Sequence, residues 1–434
     1  MVEGPRGHDV AGAPRLRGLP PRSREGPVNP VSASEFWGDD ARIQTSLMLE
    51  MVPCRPVPPT YSPCTKFRRD LEARVASHFD SSGRTRYGCW RLHLKTAILM
   101  IWLAGSYIAL VRGATAWWQA IPLAISVALA MAGIGFNVQH DGNHGAYSRH
   151  SALNKAAALS LNLLGGDAYF WRYKHNIAHH TYPNISGADN DIYMGPLARM
   201  SPYDRRYWFH RFQYVYVWAL YSLLVVKWQL VDDFRSMIRP GVAATVVPRP
   251  RGWDQVYFWV GKTCFLTLAF GVPLLTGHRL AAVAGLYLVT MAVLGITLAT
   301  VFQLAHCVEE AAFRVPADGS RRIECEWMAH QIETAVDFAR ENRLLTWYLG
   351  GLNFQIEHHL FPKVCHVHYP AISPIVEATC RAHGIRHSSH HTLRRAIRSH
   401  VRWLRHLGRA NSPQPAKTRK SNPTLGGSLS GSQR

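Results

Sequence analysis

Long stretches without charged residues interrupt an otherwise polar chain. No Asp, Glu, Lys or Arg occurs from Gly113 to Gln139, or from Leu280 to His306. About 20 consecutive apolar residues are enough to cross the hydrocarbon core of a bilayer, and both runs exceed that length. The pattern therefore predicts an integral membrane protein.

Four spans and one interfacial helix account for the remaining apolar pattern. Thr96–Val111 and Ala116–Val138 form a first predicted pair of spans, and Val256–Leu275 and Leu280–Ala305 form a second pair. The fifth stretch, Phe212–Leu230, is studded with Tyr, Trp, Gln and Lys, which is typical of the membrane–water interface. We therefore predict that this stretch lies in the interface and does not cross.

Cations near the first pair of spans predict the orientation. Residues 66–95 contain eight Lys or Arg, whereas the link 111–117 contains Arg112 alone. The positive-inside rule then puts both termini, and the residues after the second span, in the cytoplasm. Phe67–Phe79 carries apolar residues at helical spacing and is predicted to be an amphipathic helix on the membrane surface.

The two ends of the chain differ from its middle in composition. The chain has 434 residues and a formal charge of +21. Residues 1–60 are rich in Pro, Gly and Arg and are predicted to be disordered, whereas 61–375 are predicted to form the membrane domain. Residues 376–434 are predicted to be a basic, largely disordered tail, with 12 Lys or Arg and no acid from Arg381 onward. Such a tail favours anionic membrane lipids; nucleic acid is not expected, because no recognition fold accompanies the charge.

Three short segments concentrate histidine. The first is His140-Asp-Gly-Asn-His144, the second is His175-Asn-Ile-Ala-His179-His180, and the third is Gln355-Ile-Glu-His358-His359. Residues i and i+4 of a helix share a face, so the imidazoles of each segment can point the same way. His306, at the end of the last span, is a further candidate. One HxxxH pair would be unremarkable, but three such segments predict a metal site.

The number of imidazoles predicts two metal ions. Eight histidines exceed the four ligands of a zinc ion, so two ions with four or five ligands each fit better. Imidazole suits Fe, Cu, Zn and Ni alike, and a two-metal site beside a membrane favours O2 activation by iron. Gln355 is a possible ninth ligand. Carboxylates that could bind metal or orient the histidines are Asp141, Asp189, Asp191, Glu357, Glu309 and Glu310. His330-Gln331 could also orient a ligand.

The histidine segments resemble a known family. His140–His144, His175–His180 and Gln355–His359, with the strings HHTYPNISGADND and GGLNFQIEHHLFP around them, are similar to the three histidine boxes of membrane fatty acid desaturases. The similarity covers roughly residues 67–370. A Gln that opens the third box is typical of the front-end, linoleoyl-CoA-like branch, although bacterial members with other regiochemistry also carry it.

The resemblance implies both a fold and a reaction. The fold would be an all-α integral membrane protein with four transmembrane helices, interfacial helices and a cytoplasmic helical cap that holds the di-iron site. The reaction would introduce a cis double bond into the acyl chain of an acyl-CoA or acyl-lipid, with O2 as co-substrate. This chain has no His-Pro-Gly-Gly haem motif, so electrons are expected from ferredoxin, or from cytochrome b5 with its reductase.

Two other functions fit parts of the pattern. Hydroxylases of lipids, alkanes or carotenoids use related histidine boxes, but the QIEHHLFP context favours desaturation. A membrane metal transporter would place ionisable ligands inside its spans near the midplane. Here the boxes follow the spans, which disfavours transport.

Overall fold

A computed structural model describes residues 59–63, 66–238, 247–315 and 322–410 of the protein. Within these residues the fold is almost entirely helical. The α-helices are α1 Lys66–Ser82, α2 Trp90–Ile108, α3 Trp117–Ile134, α4 His140–His144, α5 Ser151–Leu163, α6 Ala168–Arg172, α7 Gln213–Lys227, α8 Asp233–Ile238, α9 Trp253–Leu266, α10 Val272–Leu275, α11 Leu280–His306, α12 Trp327–Thr334, α13 Arg343–Tyr348, α14 Gln355–Leu360, α15 Tyr369–Ala382 and α16 Leu393–Arg409.

Shorter segments extend or connect these helices. The π-helical segments are Ala109–Gly113, Gly135–Gln139, Tyr173–His179, Trp228–Asp232 and Thr267–Gly271, and the 3-10 segments are Trp208–Phe212 and His366–His368. The strands are β1 Thr60–Ser62, β2 Arg322–Glu326, β3 Asp337–Phe338 and β4 Ser389–His390. β1 pairs with β2 and β3 pairs with β4, both in parallel.

Among the described residues, five continuous helices are long and apolar enough to cross a membrane. They are Trp90–Gly113, Trp117–His144, Trp208–Ile238, Trp253–Leu275 and Leu280–His306. This number is compatible with a multi-pass membrane protein and is one more than the four spans predicted from the sequence.

The first two and the last two of these helices are consecutive hairpins that meet near their links. Tyr107 donates a hydrogen bond to the Leu268 carbonyl at 2.6 Å, and the His278 ring lies 2.7 Å from the Val111 carbonyl. At the other end of the bundle, α3 leads into His140 and α11 ends at His306. The hairpins therefore run in the same sense and bring two histidine-bearing ends together.

The helix Trp208–Ile238 packs along the last helix of the bundle. At Gly295 the Tyr221 carbonyl approaches so closely that a Cβ would clash. Gln229, eight residues after Tyr221, accepts a hydrogen bond at 3.1 Å from Tyr287, which lies eight residues before Gly295. The two helices are thus antiparallel. The interfacial position predicted for Phe212–Leu230 stays a prediction, but the stretch is not an isolated surface helix.

Helix α1 is amphipathic as predicted, but its apolar face does not lie on a membrane. Phe67, Leu71 and Val75 are buried and belong to the same apolar cluster as Ile372 and Val376 of α15. The membrane-surface prediction is wrong for this face, because α15 covers it. The periodicity of α1 alone could not distinguish a protein partner from a lipid surface.

The chain beyond residue 376 is ordered as far as residue 410, so the prediction of a largely disordered tail is wrong there. α16 buries Leu404 and His400. His400 Nδ1 donates to the Cys307 carbonyl at 2.6 Å. Nε2 of the neutral ring therefore accepts from the Tyr221 hydroxyl at 2.9 Å. Residues 411–434, and nearly all of the extension predicted for residues 1–60, lie outside the described residues.

We expect Leu404→Ala to lower the free energy of unfolding by about 2–4 kcal/mol, the usual cost of a cavity at a buried leucine. Arg398→Ala, on the exposed face of the same helix, should change it by less than about 0.5 kcal/mol. Thermal unfolding in detergent would measure both variants. Equal effects would contradict the packing of α16 against the bundle.

Candidate metal centre

The eight predicted histidines meet in one place, although they come from four distant parts of the chain. Each is at most 5% exposed. Box 1 (His140–His144) follows α3, and box 2 (His175–His180) follows α6. His306 ends α11, and box 3 (Gln355–His359) lies on α14. The residues of the centre are His140, His144, His175, His179, His180, His306, His358 and His359.

A π-helix explains how all three histidines of box 2 reach the same site. In an α-helix, at about 100° per residue, residue i+5 points about 140° away from residue i. The segment Tyr173–His179 is π-helical, and the His180 N–H donates to the His175 carbonyl. Such i→i+5 bonding brings residue i+5 back over residue i. His175, His179 and His180 therefore share one face.

Box 1 is held close to the bundle by a glycine. A Cβ at Gly142 would lie 2.5 Å from the Ala158 backbone nitrogen in α5, so another residue would push the helices apart. The π-helical segment Gly135–Gln139 directly precedes His140. Gly142 therefore keeps the short α4 helix against α5, between the two histidines that it presents.

The imidazoles form two groups. His140, His144, His175 and His358 have ring nitrogens within 4.8 Å of one another, and so do His179, His306 and His359. His180 touches both groups: its Nε2 lies 3.0 Å from His358 Nε2, and its ring stacks on His359 at 4.4 Å. Two groups of donors correspond to the two metal ions expected from the sequence.

The protonation of the second group fits a bound cation. His306 Nδ1 donates to the Thr334 carbonyl at 3.0 Å, and His359 Nδ1 donates to Gln331 Oε1 at 2.8 Å. In the neutral rings neither Nε2 atom then carries a proton, yet the two atoms lie 3.1 Å apart. Two lone pairs facing each other repel unless a cation lies between them. In the first group His144 Nε2 has no hydrogen-bond partner among the described residues, which also fits a metal ligand.

Burial keeps most of these rings neutral. Desolvation, followed by the neighbouring imidazoles, holds the pKa of His175, His180, His358 and His359 well below its ordinary value. Burial also lowers the pKa of His179, but Asp189 and Asp191 outweigh it and raise that pKa to about 9. Neutral imidazole is the form that binds metal, so the environment prepares most of the site in advance.

Asp189 and Asp191 both lie beside ring nitrogens of box 2. Both oxygens of Asp189 lie 3.1 Å from His179 Nδ1, and Asp191 lies 3.5 Å from His175 Nδ1. A carboxylate on Nδ1 fixes the tautomer that leaves Nε2 free for metal. The structure therefore brings both acids to the centre.

The other candidate carboxylates lie elsewhere. Asp141 accepts from His366 Nδ1 at 2.8 Å and from the Cys365 thiol at 3.0 Å. Glu357 belongs to a separate buried cluster with Asp337 and His387. The expectation that these two acids orient the centre is not met. The carboxylates of Glu309 and Glu310 likewise face α16: Glu310 accepts from the Ser399 hydroxyl at 2.6 Å, and Glu309 lies 3.9 Å from Arg402.

Gln355 lies at the second group. Its amide nitrogen is 3.0 Å from His306 Nε2, and rotation of the amide by 180° would present Oε1 instead. Both orientations of the amide keep the Gln355 side chain in contact with His306, one of the predicted ligands.

Three residues contact the centre that the sequence analysis missed or named only as part of a pair: Tyr369 and Trp171 were missed, and Gln331 was named together with His330. Gln331 contacts His359, whereas its neighbour His330 bonds the Pro183 carbonyl instead. Tyr369 lies 3.2 Å from His358 Nδ1. Trp171 stacks on His175 with ring centroids 4.3 Å apart. Its spacing of four residues before His175 was the available signal; Tyr369 offered none.

Two apolar cavities lie below the centre and share Met131 and Leu164. The smaller, of about 40 Å³, reaches His140 and Trp171. The larger, of about 180 Å³, extends between the two hairpins toward Val111 and His278. The two cavities therefore adjoin at Met131 and Leu164, one beside the histidines and the other toward the far end of the bundle.

Comparison with known proteins identifies close relatives of this chain. The family model described as fatty acid desaturase matches residues 115–391. The sn-1 linoleoyl-lipid 6-desaturase of Arthrospira platensis is 33% identical over 349 residues, covering 80% of this chain and 94% of that protein. That of Synechocystis sp. is 34% identical over 345 residues, covering 80% and 96%. The acyl-lipid (8-3)-desaturase of Physcomitrium patens is 32% identical, covering 78% and 71%. The resemblance drawn from the sequence is confirmed.

We expect Asp189→Asn to weaken metal binding by about 10–100-fold, because the amide no longer stabilises His179 through its charge. Metal content after dialysis against graded chelator would measure the change. Asp80→Asn, at an exposed carboxylate of α1, should retain wild-type content. Unchanged affinity in Asp189→Asn would contradict the orienting role of Asp189.

Proposed function

This chain belongs to the fatty acid desaturase family, and we propose that it introduces a cis double bond into an acyl chain carried by a membrane lipid. The observation that carries the proposal is the pair of adjoining apolar cavities, one reaching His140 and Trp171 and the other reaching Val111. We propose that they form one path for the acyl chain. An unactivated methylene offers no acidic proton, so the reaction needs an oxidant and a pocket that holds one carbon–carbon bond beside it. The path supplies the pocket.

The shape of the path favours desaturation near the carboxyl end of the chain. Between Val127, which lines the larger cavity, and His140 the helix rises about 20 Å. A long methyl-terminal portion can therefore lie beyond the centre while the headgroup stays on the cap side. The relatives named as linoleoyl-lipid 6-desaturases support the same arrangement and an acyl-lipid substrate.

Two iron ions are proposed as the metals, with the eight histidines as ligands and Gln355 as a ninth. Iron would supply the oxidation: O2 takes two electrons from the donor protein, two protons from solution and two hydrogen atoms from the substrate, and two waters leave. Asp189, Thr334 and Gln331 hold the Nδ1 protons of three ligands. Trp171 and Leu164 keep the path beside the centre apolar. Tight positioning of one bond makes the hydrogen removal selective.

Four crossings and a cytoplasmic centre are proposed for the topology. The helix Trp117–His144 has 28 residues and is about 42 Å long, whereas the hydrocarbon core is about 30 Å thick. Its histidine-bearing end can therefore project into the cytoplasm. Exposed tryptophans support two interfaces: Trp117 at one end, and Trp90 and Trp253 at the other, as in the aromatic belts of membrane proteins.

The helix Trp208–Ile238 is proposed to remain at the cytoplasmic interface. Near its start Gln213 donates a hydrogen bond to the Leu404 carbonyl of α16 at 2.8 Å. At its middle Tyr221 bonds His400, which reaches the Cys307 carbonyl. Near its end Phe234 packs on Phe258, and Phe258 packs on Phe170, five residues before His175. Both ends are thus connected to elements of the metal centre, which supports a helix that does not cross.

Electrons are proposed to come from a separate protein, ferredoxin or cytochrome b5 with its reductase.

The exposed face of α16 is proposed to bind anionic lipid headgroups, with a favourable binding free energy of about 1 kcal/mol per cation near the surface. The face consists of Arg394, Arg395, Arg398, Arg402, Arg405 and Arg409, all exposed.

We expect a host without its own desaturases to accumulate cis-unsaturated acyl lipids when it expresses this protein with an electron donor. Deuterated acyl chains should lose label from two neighbouring carbons, because desaturation removes one hydrogen from each. Gas chromatography–mass spectrometry of the lipids measures both results. Products that keep one of those labels and gain an oxygen atom from O2 would make the protein a hydroxylase.

The cavity itself can be tested in the same host. Met131→Trp fills the junction of the two cavities and should shift the products toward shorter acyl chains. Ile101→Trp, on the lipid-facing side of the bundle at 72% exposure, is the matched control and should leave chain length unchanged. The same shift in both variants would contradict the proposed path.

Topology can be tested with two exposed leucines at opposite ends of the protein. Leu275 is 88% exposed at the link of the second hairpin, and Leu344 is 83% exposed on the cap. In a background without native cysteines, Leu275→Cys should react with a membrane-impermeant thiol reagent in intact cells. Leu344→Cys should react only after permeabilisation. Labelling of Leu344→Cys in intact cells would refute the cytoplasmic centre.

A further inference from the structure

A second buried group of side chains that could bind a metal lies in the segment after α11, apart from the histidine centre. It consists of Asp337 at the start of β3, Glu357 on α14 and His387 just before β4. Asp337 and Glu357 are 0% exposed, and the His387 side chain is 7% exposed. Each residue offers one ligand atom, and the three atoms lie within 4.8 Å of one another. The reaction proposed above uses none of them.

The atoms that face one another in this cluster lack hydrogen bonds. Asp337 Oδ2, both oxygens of Glu357 and His387 Nε2 have no hydrogen-bond partner within the described part of the chain. The other oxygen of Asp337 accepts from the Ile356 N–H at 3.0 Å. Buried polar groups in folded proteins nearly always have a partner, so four such atoms at one point indicate a missing ligand.

The spacing suits a cation better than direct hydrogen bonds. His387 Nε2 lies 3.7 Å from Asp337 Oδ2 and 4.0 Å from Glu357 Oε1, and both distances exceed the range of a hydrogen bond. Ligands about 2.1 Å from one metal ion are separated from each other by about 3–4 Å. The three donors thus surround a position that a small divalent cation can occupy.

The nearest positive charge does not neutralise the two carboxylates. Arg340 lies 3.8 Å from Asp337 Oδ2, but its hydrogen bonds go to Ser373 at 2.9 Å and Glu377 at 3.1 Å. Burial and the nearby Glu357 raise the pKa of Asp337 well above its ordinary value. The cluster therefore takes up positive charge, as a proton or as a metal ion.

We propose that Asp337, Glu357 and His387 bind one divalent cation of the Zn²⁺ or Mn²⁺ class, independently of the histidine centre. A set of two carboxylates and one imidazole suits these ions, whereas Ca²⁺ prefers oxygen ligands alone. The ion ties three segments together. Asp337 precedes box 3, Glu357 lies within it, and His387 begins the C-terminal segment that pairs through β4.

This proposal goes beyond the desaturase function and does not depend on it. His358 and His359 follow Glu357 directly but belong to the histidine groups, so one short helix carries ligands for both sites. We infer a structural role for the cation, which fixes the C-terminal segment to the helix that carries box 3.

The test is the metal stoichiometry of the full-length, detergent-purified protein after equilibration with Zn²⁺ alone. Wild type should bind one equivalent more than Asp337→Asn or His387→Gln. The matched control is Glu377→Gln, which removes a neighbouring carboxylate outside the cluster and should keep that equivalent. His179→Ala should lose metal from the histidine centre yet keep the additional ion. Chelator should lower the Tm of wild type more than that of His387→Gln.

Several outcomes would overturn the proposal. Equal Zn²⁺ content in wild type, Asp337→Asn and His387→Gln would do so. A wild-type stoichiometry that the histidine centre alone accounts for would do so even if a variant failed to fold. An infrared band of a protonated carboxyl group in Zn²⁺-equilibrated wild type, absent from Asp337→Asn, would assign the positive charge to a proton instead.

Discussion

Eight imidazoles in one water-poor space are the constraint on which the rest of the fold depends. Neutral rings whose second nitrogens already donate cannot satisfy one another, as the bare Nε2 atoms of His306 and His359 illustrate at 3.1 Å. Protonation offers no remedy, because neighbouring cationic rings repel in a low dielectric. A metal-binding role removes the conflict, provided that four distant segments of the chain are held in register.

The helices that follow α11 supply that register. Helix α12 provides the Thr334 carbonyl and Gln331, which fix the tautomers of His306 and His359, and α15 provides Tyr369, whose hydroxyl lies 3.2 Å from His358 Nδ1. Further out, His400 of α16 binds the Cys307 carbonyl, next to His306. The C-terminal helix therefore braces the end of the last long helix. The segment after α11 thus supports the centre through these contacts, although it contributes only His358 and His359 to it.

The same helices that present the histidines also line the apolar path. Met131 and His140 belong to one continuous helix, and Met291 and His306 belong to another. The distance from the path to the centre is consequently fixed by helix geometry and not by a flexible loop. The proposed oxidation must choose one bond among many equivalent methylenes, and this rigid relation would provide that selectivity.

The sequence by itself determined the chemistry. Charge-free runs identified the long helices, and the spacing of His140–His144, His175–His180 and Gln355–His359 identified the histidine cluster and the family. These features are local, so they can be read along the chain. The tertiary structure alone decided what depends on contacts between distant residues. It showed the π turn that brings His180 to the face of His175, and the assignment of Asp189 but not Asp141 to the centre. It also showed that the apolar faces of α1 and α16 bury against protein. An amphipathic pattern fixes which face is apolar but not what covers it, and a carboxylate beside a histidine in sequence need not be beside it in space.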